Sequence, residues 1–375
     1  MSSIYIHIPY CKQRCSYCDF HFSTIKKDKI EMLKSIEKEI LTQKNYLRNN
    51  KVNSIYFGGG TPSVLTAIEI KRLLKKVYQS YNINENAEIT IECNPDDLTS
   101  HKLSSYKKTG INRLSIGVQS FEDSDLKFMN RSHSAKKAIQ SISLAKKNGF
   151  KNISIDLIYG LPNQTVKKWK KNLDIMFSLD IQHFSAYCLT IEKKTALYHL
   201  VKKKKVQPLA DKKTIEQFNL LQTKAKKKGF IHYEISNFGI KGHFSKHNTA
   251  YWKGNHYLGI GPSAHSYNGK SRRWNIHSNS KYISKINSNT NYFEEEELTV
   301  SQQYNEYIFT SLRTIWGVDQ SIIKTQYGNN FELHFKKEII KWEAKKHVTS
   351  NKNIYTLTTI GKGFADAIAS DLFVV

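Results

Sequence analysis

Three of the chain's five cysteines fall within eight positions, Cys11-Lys-Gln-Arg-Cys15-Ser-Tyr-Cys18. Cysteines crowded onto one short loop point to metal ligation before they point to a disulfide framework. Three thiolates on a tight loop can each hold one iron of a [4Fe–4S] cubane and leave the fourth iron without a protein ligand. A cluster needs that open iron if it is to bind a small molecule as well as carry an electron. A structural zinc with His21 as fourth ligand is the competing arrangement, since Cys3His is a normal zinc set. No second cysteine knuckle accompanies it. Cys93 and Cys188 stand alone and read as buried small side chains.

The other chemically suggestive residues recur at one place in a repeating pattern. Gly58-Gly59-Gly60-Thr61-Pro62, Glu92-Cys93-Asn94-Pro95, Gln119 and Asp156 each end or follow a β-rich run. Those runs lie at 3–8, 54–57, 88–92, 113–117, 153–158 and 183–189. Amphipathic helical stretches lie between them, at about 29–47, 68–81, 100–109, 135–147 and 166–179, and one more follows at 212–228. Strands alternating with helices imply a parallel sheet with helical crossovers, and such folds place their chemistry at the carboxyl ends of the strands. The cysteine loop and the later motifs therefore converge on one mouth. Six such units suit an open sheet or a partial barrel. Beyond about Tyr233 the rhythm breaks into loop-rich sequence with Gly, His and aromatic residues. From about Leu298 the pattern reads as helices, a short strand pair and a closing helix, a winged-helix-like module. The expected domains are 1–235, 236–297 and 298–375.

Composition narrows the class. At 375 residues with 39% apolar content the chain can bury a sizeable core, and it has no apolar run long enough to span a bilayer. Its first residues turn strand-like too soon for a signal peptide, so a cytoplasmic protein is expected. The formal charge of +26 comes from fifty Lys and only eight Arg. Specific phosphate and base readers favour the Arg fork. A dispersed Lys excess fits solvated faces better than a nucleic-acid site.

By these motifs the chain resembles the radical SAM (S-adenosylmethionine) superfamily, whose C-x3-C-x2-C loop it carries intact. In that family the open iron binds the amino and carboxylate groups of SAM, and reduction cleaves SAM to a 5′-deoxyadenosyl radical. Tyr5-Ile-His-Ile-Pro-Tyr-Cys11, Gly58–Ser63, Ile91–Pro95, Ser115–Phe121, Asn130-Arg131 and Asp156–Pro162 resemble, in order and spacing, the coproporphyrinogen dehydrogenase-like branch. The resemblance implies a partial (β/α)6 barrel with a C-terminal accessory domain. It implies that Tyr5, Gly59 and Glu92 contact the cluster-bound SAM. Tyr17, Gly60, Thr61, Gln119, Arg131 and Asp156 would line the adjoining region, where that branch can place a second SAM or substrate.

The branch holds two functional classes, oxygen-independent coproporphyrinogen III dehydrogenases and heme chaperones of the HemW type. The dehydrogenases have a fourth Cys two residues past the third, where this chain has Cys18-Asp19-Phe20, and a long arm before the first strand. The segment His247-Asn248-Thr-Ala-Tyr251-Trp252 is similar to the His-Asn-x-x-Tyr-Trp signature of the chaperones. Imidazole is a normal axial ligand of heme iron, and aromatics pack on porphyrin faces. His247 is thus the heme-ligand candidate, with a structural or supporting role as the alternative; His265 is the weaker candidate. The class implied is a heme chaperone that delivers heme to respiratory acceptors, at the membrane surface or as a homodimer, without dehydrogenase activity. The coproporphyrinogen III dehydrogenase and an RNA-modifying radical SAM enzyme are the alternatives.

Overall fold

The computed structural model describes residues 2–48 and 50–374. Six parallel strands alternate with helices. They are β1 (Ser2–Ile8), α1 (Lys29–Thr42), β2 (Val52–Gly59), α2 (Ala67–Ser80), β3 (Ile83–Cys93), α3 (Ser100–Lys108), β4 (Arg113–Gln119), α4 (Asp123–Phe128), α5 (Ala135–Lys147), β5 (Asn152–Tyr159), α6 (Val166–Ser178) and β6 (His183–Cys188). Helices α7 (Ala196–Lys202) and α8 (Asp211–Lys227) follow, then the hairpin β7 (Ile231–Glu234) and β8 (Asn237–Gly239). Next come α9 (Lys246–Trp252), β9 (His256–Ile260), β10 (His265–Tyr267), β11 (Ser271–Asn275), α10 (Asn279–Asn287) and β12 (Phe293–Glu297). The last part holds α11 (Val300–Leu312), β13 (Val318–Asp319), α12 (Gln320–Ile322), α13 (Asn329–Ala344), β14 (Val348–Asn351), β15 (Ile354–Leu357) and α14 (Ala365–Leu372).

Period-two patterning explains the barrel. Ile4, Ile6 and Ile8, Ile55 and Phe57, Ile89 and Ile91, Leu114 and Ile116, and Ile153 and Ile155 point outward into the core beneath the helices. The intervening residues share the inner face and are mostly polar. The strand register aligns Ser3 with Ser54, Tyr5 with Tyr56, Glu92 with Ser115, and Gly117 with Asp156. A one-residue slip would exchange the two sets, so the register is strongly specified. The apolar layer holds the sheet to the helices; the inner layer is free to carry chemistry.

The segment after Tyr233, expected to be loop-rich, instead extends the sheet. The twelve strands run β12-β11-β10-β9-β1-β2-β3-β4-β5-β6-β8-β7, with β9 parallel to β1. The added strands are three to five residues long and carry polar residues, so neither alternation nor apolar content announces them. The sheet does not close between β6–β8 and β9–β1, and α9 lies in that interval against β1, β2 and β9. Residues from α11 onward build a second core around Tyr304, Ile308, Phe335 and Ile368, with the three-stranded sheet β13-β15-β14 beside it.

Candidate functional site

The cysteine loop leaves β1 and is clasped by the turn after α4. Ser16 N–H donates to Met129 O at 3.0 Å, and Asn130 Nδ2 donates to Arg14 O at 2.7 Å. Asn130 sits at φ 55°, a left-handed conformation that Asn tolerates. Its neighbour Arg131 reaches the sulfur itself: Nη1 donates to Cys15 Sγ at 3.3 Å, while Nη2 donates to Gly117 O at 2.9 Å and to Asn94 Oδ1. Thr61 Oγ1 donates to Cys11 Sγ at 3.3 Å. Burial pushes the thiols of Cys11 and Cys18 up to about 11.

These surroundings fit an iron–sulfur cluster. Two of the three sulfurs already receive donors, one from a guanidinium, and such hydrogen bonds and charges tune a cluster. Among the described residues no three His, Cys, Asp or Glu side chains meet on a single-ion site. Cubane thiolates bind different irons and need not meet at one point. His21, the fourth ligand of the zinc alternative, is engaged elsewhere, its Nε2 lying 2.8 Å from Asn279 Oδ1.

The glycine run ends β2 against this loop. Gly60 N–H donates to Ile8 O at 2.9 Å and Thr61 N–H to Tyr10 O at 2.8 Å. A Cβ on Gly60 would lie 2.8 Å from Tyr10 O and 2.9 Å from Tyr10 N, and one on Gly59 (φ 108°) would lie 2.6 Å from the His7 ring. Only glycine allows so close an approach. Glu92, at the end of β3, accepts from Tyr56 Oη at 2.9 Å. Burial, and after it the nearby Asp156 carboxylate, push Glu92 up to about 8 against the pull of the Tyr56 and Gly59 donors. Asp156 is raised too, by burial first, although Ser115 Oγ donates to it at 3.3 Å.

The structure brings the expected residues to one mouth. Tyr5 lies beside Tyr56 with rings 6.1 Å apart and faces His7 Nδ1 at 3.2 Å. Tyr17 packs on Leu126, Met129, Ile158 and Leu161. Gln119 is held at φ 65°, with its Nε2 3.0 Å from where a Cβ on Gly117 would sit. Tyr56 belongs to the same constellation and was missed, whereas Asn94, part of the motif that carries Glu92, joins it by accepting from Arg131. Tyr56 shares a strand face with Gly58, two residues before the glycine run, a signal that alternation alone could have supplied.

His247 is placed apart from that mouth, near the start of the strands. Ser54 Oγ donates to Ser3 Oγ at 2.9 Å, so the contact of Ser54 Oγ with His247 Nδ1, also 2.9 Å, has the imidazole N–H as donor. His247 Nε2 is then a buried acceptor with no partner among the described residues. Desolvation, and secondarily Arg113, lower this imidazole to about 3, so it is neutral. Its ring stacks on Tyr56 at 4.8 Å and meets Tyr251 edge-on at 5.1 Å. His265 is exposed on β10. Next to His247 lies a buried polar floor that sequence reasoning did not single out. Arg113 lies 3.8 Å from Glu88 Oε2 and donates to His183 Nδ1 at 3.3 Å, and His183 Nε2 meets Tyr233 Oη at 2.8 Å.

The far side of α9 borders a cavity of about 1550 Å³ between the barrel's open side and the second core. Asn248, Tyr251, Trp252, Trp316, Arg272 and Arg313 line it. Tyr187 lines it as well and feels the charges of Asp156 and Glu92, so the cavity adjoins the barrel mouth.

Comparison with known proteins agrees with this geometry. The Radical SAM superfamily model matches residues 5–176. The chain is 34% identical to the heme chaperone HemW of Bacillus subtilis over 96% of both chains. It is 33% identical to that of Buchnera aphidicola over 98% of this chain and 96% of the relative. The solved structure of coproporphyrinogen III oxidase (HemN) from Escherichia coli superposes with a TM-score of 0.86. It shares 22% identity and covers 100% of this chain and 90% of that one, a likeness of fold.

Proposed function

The chain belongs to the radical SAM superfamily and, within it, to the family of the heme chaperone HemW, and on that premise we propose that it carries heme in the cavity beside α9 and delivers it to respiratory heme proteins. Its resident cofactors are a [4Fe–4S] cluster and SAM. Cys11, Cys15 and Cys18 would hold the cluster, and Tyr5, Gly59 and Glu92 the SAM beside it. When bound, the pair supplies one-electron chemistry. Arg131 and Thr61 offset the negative charge of the thiolates, and Tyr56 keeps Glu92 aimed at the mouth.

The observation that carries the heme reading is the cavity. Heme is a large flat apolar ring with two anionic arms. Trp252 and Trp316 offer flat apolar surfaces, and Lys253 and Arg313, each lying over one of those indoles, offer cations for the propionates. We place the protein in the cytoplasm, meeting its acceptors at the membrane surface from outside the bilayer. No helix among the described residues is long and apolar enough to cross a membrane.

Heme titration of the reconstituted protein tests this reading. Saturable binding is expected, weakened about tenfold or more by Trp252→Ala, which corresponds to about 1.4 kcal/mol. Coproporphyrinogen III given with SAM and a strong reductant should yield no protoporphyrinogen IX. Robust decarboxylation would move the chain to the dehydrogenase class.

A further inference from the structure

A cluster that does one-electron chemistry has to be supplied with electrons, and the electron needs a way in. Gly59 and Glu92 approach the cysteine loop from the strand ends, so SAM would lie on its inner side. Access is left from the outer side, where Arg14, Asp19 and Phe20 are exposed and Cys15 and Cys18 are half-buried.

That outer side carries apolar surface. Phe20 is 74% exposed, Ile25 63%, Ile30 61% and Ile68 74%. Among the described residues only Leu333, Ile340 and Ile360, all in the C-terminal part, are as open. Backbone hydrogen bonds gather the four around the loop. Ser23 N–H donates to Pro9 O at 2.9 Å and Cys11 N–H to Ser23 O at 3.0 Å, which fold the segment bearing Phe20 and Ile25 back along the start of the cysteine loop. Lys29, at the start of α1, reaches Glu69 at the start of α2 at 2.7 Å and joins the first turns that carry Ile30 and Ile68. A cluster of large apolar side chains left in water marks a contact surface.

Cations frame it. Arg14, Lys26 and Lys27 are exposed and make no ion pair among the described residues, whereas Lys12 and Lys29 are engaged by Asp96, Asp97 and Glu69. Asp19 and Glu31 are the exposed acids nearby. An apolar centre with free cations at its rim suits a small, transient contact with an acidic partner. Charge steers the encounter, and the limited area lets the complex part again. Position selects the partner: Arg14 directly precedes Cys15 and Phe20 lies two residues past Cys18, so whatever docks here rests against the wall of the cluster.

We propose that the face formed by Arg14, Phe20, Ile25, Lys26, Lys27 and Ile30 docks an acidic one-electron carrier protein, which reduces the cluster through the outer wall of the cysteine loop. One electron leaves the reduced carrier, which is oxidised by one step, and enters the cluster; no bond is made or broken and no proton is required. The face is separate from the cavity beside α9 and does not depend on what that cavity holds.

The overall charge of +26 attracts any anion, so local docking has to be told apart from general attraction. Stopped-flow reduction of the full-length reconstituted protein by reduced flavodoxin, an acidic one-electron carrier, does so. Photogenerated deazaflavin radical, too small to need a docking face, is the control reductant. Changing Lys26→Glu together with Lys27→Glu should slow reduction by flavodoxin about tenfold or more and flatten its dependence on salt. Phe20→Ala should raise the dissociation constant of the complex with oxidised flavodoxin, a titration in which no electron passes. Both variants should keep the wild-type cluster content and the wild-type rate with the deazaflavin radical. Charge reversal at the far end of α8, Lys226→Glu with Lys227→Glu, should cost much less. An equal loss there would reduce the effect to net charge and overturn the proposal. So would unchanged rates and affinity in the loop variants, or a wild type that flavodoxin does not reduce. A Phe20→Ala protein that loses self-association while flavodoxin reduces it normally would assign the face to a second copy of this chain, and overturns the proposal equally.

Discussion

The imidazole of His247 stacks on the phenol of Tyr56 with ring centres 4.8 Å apart and planes 26° from parallel. Tyr56 in turn donates to Glu92 at the mouth. One aromatic contact thus joins α9, whose outer face borders the cavity, to the carboxylate expected to meet SAM.

Removing the hydroxyl of Tyr56 should be felt at Glu92. The carboxyl is already raised to about 8 by burial, so near neutral pH it is largely protonated and must lose a proton to meet the SAM amino group as a carboxylate. SAM affinity should therefore rise with pH towards 8 and level off above it. In Tyr56→Phe the carboxylate loses a donor, the rise moves to higher pH, and affinity near pH 7 falls about tenfold. Equilibrium dialysis of SAM across that range checks both. A flat profile identical in the two proteins would contradict the assignment of Glu92.

Cluster assembly should depend on three cysteines alone. Reconstituted wild type should hold roughly four iron and four sulfide per chain, as the cubane requires. Cys15→Ala should lose the cluster absorbance. Cys93→Ala should keep it, because Cys93 is buried in the core on the outer face of β3. Cys188→Ala should keep it too, since Cys188, expected to be buried, is instead exposed at the end of β6 beside Tyr159. Stoichiometric zinc without iron would refute the cubane.

Arg131 brings a positive charge to Cys15 Sγ, and the reduced cluster carries one more negative charge than the oxidised one. Arg131→Gln should assemble a cluster whose reduction potential lies lower than in the wild type. A redox titration followed by electron paramagnetic resonance reads the shift. A potential that is unchanged or higher would show that this guanidinium does not tune the cluster.

Glu39 predicts a pH dependence of stability remote from the site. Its carboxylate oxygens accept Gly261 N–H at 2.7 Å and Asn275 Nδ2 at 2.7 Å, with Tyr282 Oη also donating, so α1 is tied to β11 and α10. Desolvation still dominates and raises the carboxyl from 4.5 to about 7. A folded-state pKa above the unfolded one favours the protonated fold, so this stability is complete below about pH 4.5. It is lost as pH climbs to 7, by roughly 3 kcal/mol in all. Urea unfolding across that interval should show the decline, and Glu39→Gln should lack it.

Much of the site was legible because its signals are local. The cysteine spacing, the glycine run and Glu92 each carry their chemistry within a few residues, and strand–helix alternation was enough to bring them to one mouth. The sheet extension was not legible, because β8 to β12 are only three to five residues long and some are held by neighbours distant in sequence, such as β1 for β9. The floor residues Arg113 and His183 look like ordinary strand residues until the register sets them against Glu88 and Tyr233. The cavity was invisible for the same reason: Trp252, Arg272 and Trp316 converge only once the second core docks. The sequence pattern of α9 did not tell that Asn248, Tyr251 and Trp252 line the cavity while His247 stacks on Tyr56 of the barrel.

The most direct measurement is the transfer of heme from the loaded protein to an apo-form respiratory heme protein, timed against transfer to a passive heme scavenger. A chaperone should hand heme to the respiratory acceptor faster than heme dissociates to the scavenger, and Trp252→Ala should erase the difference. Equal rates to both, set by simple dissociation, would contradict delivery and leave only a heme-binding protein.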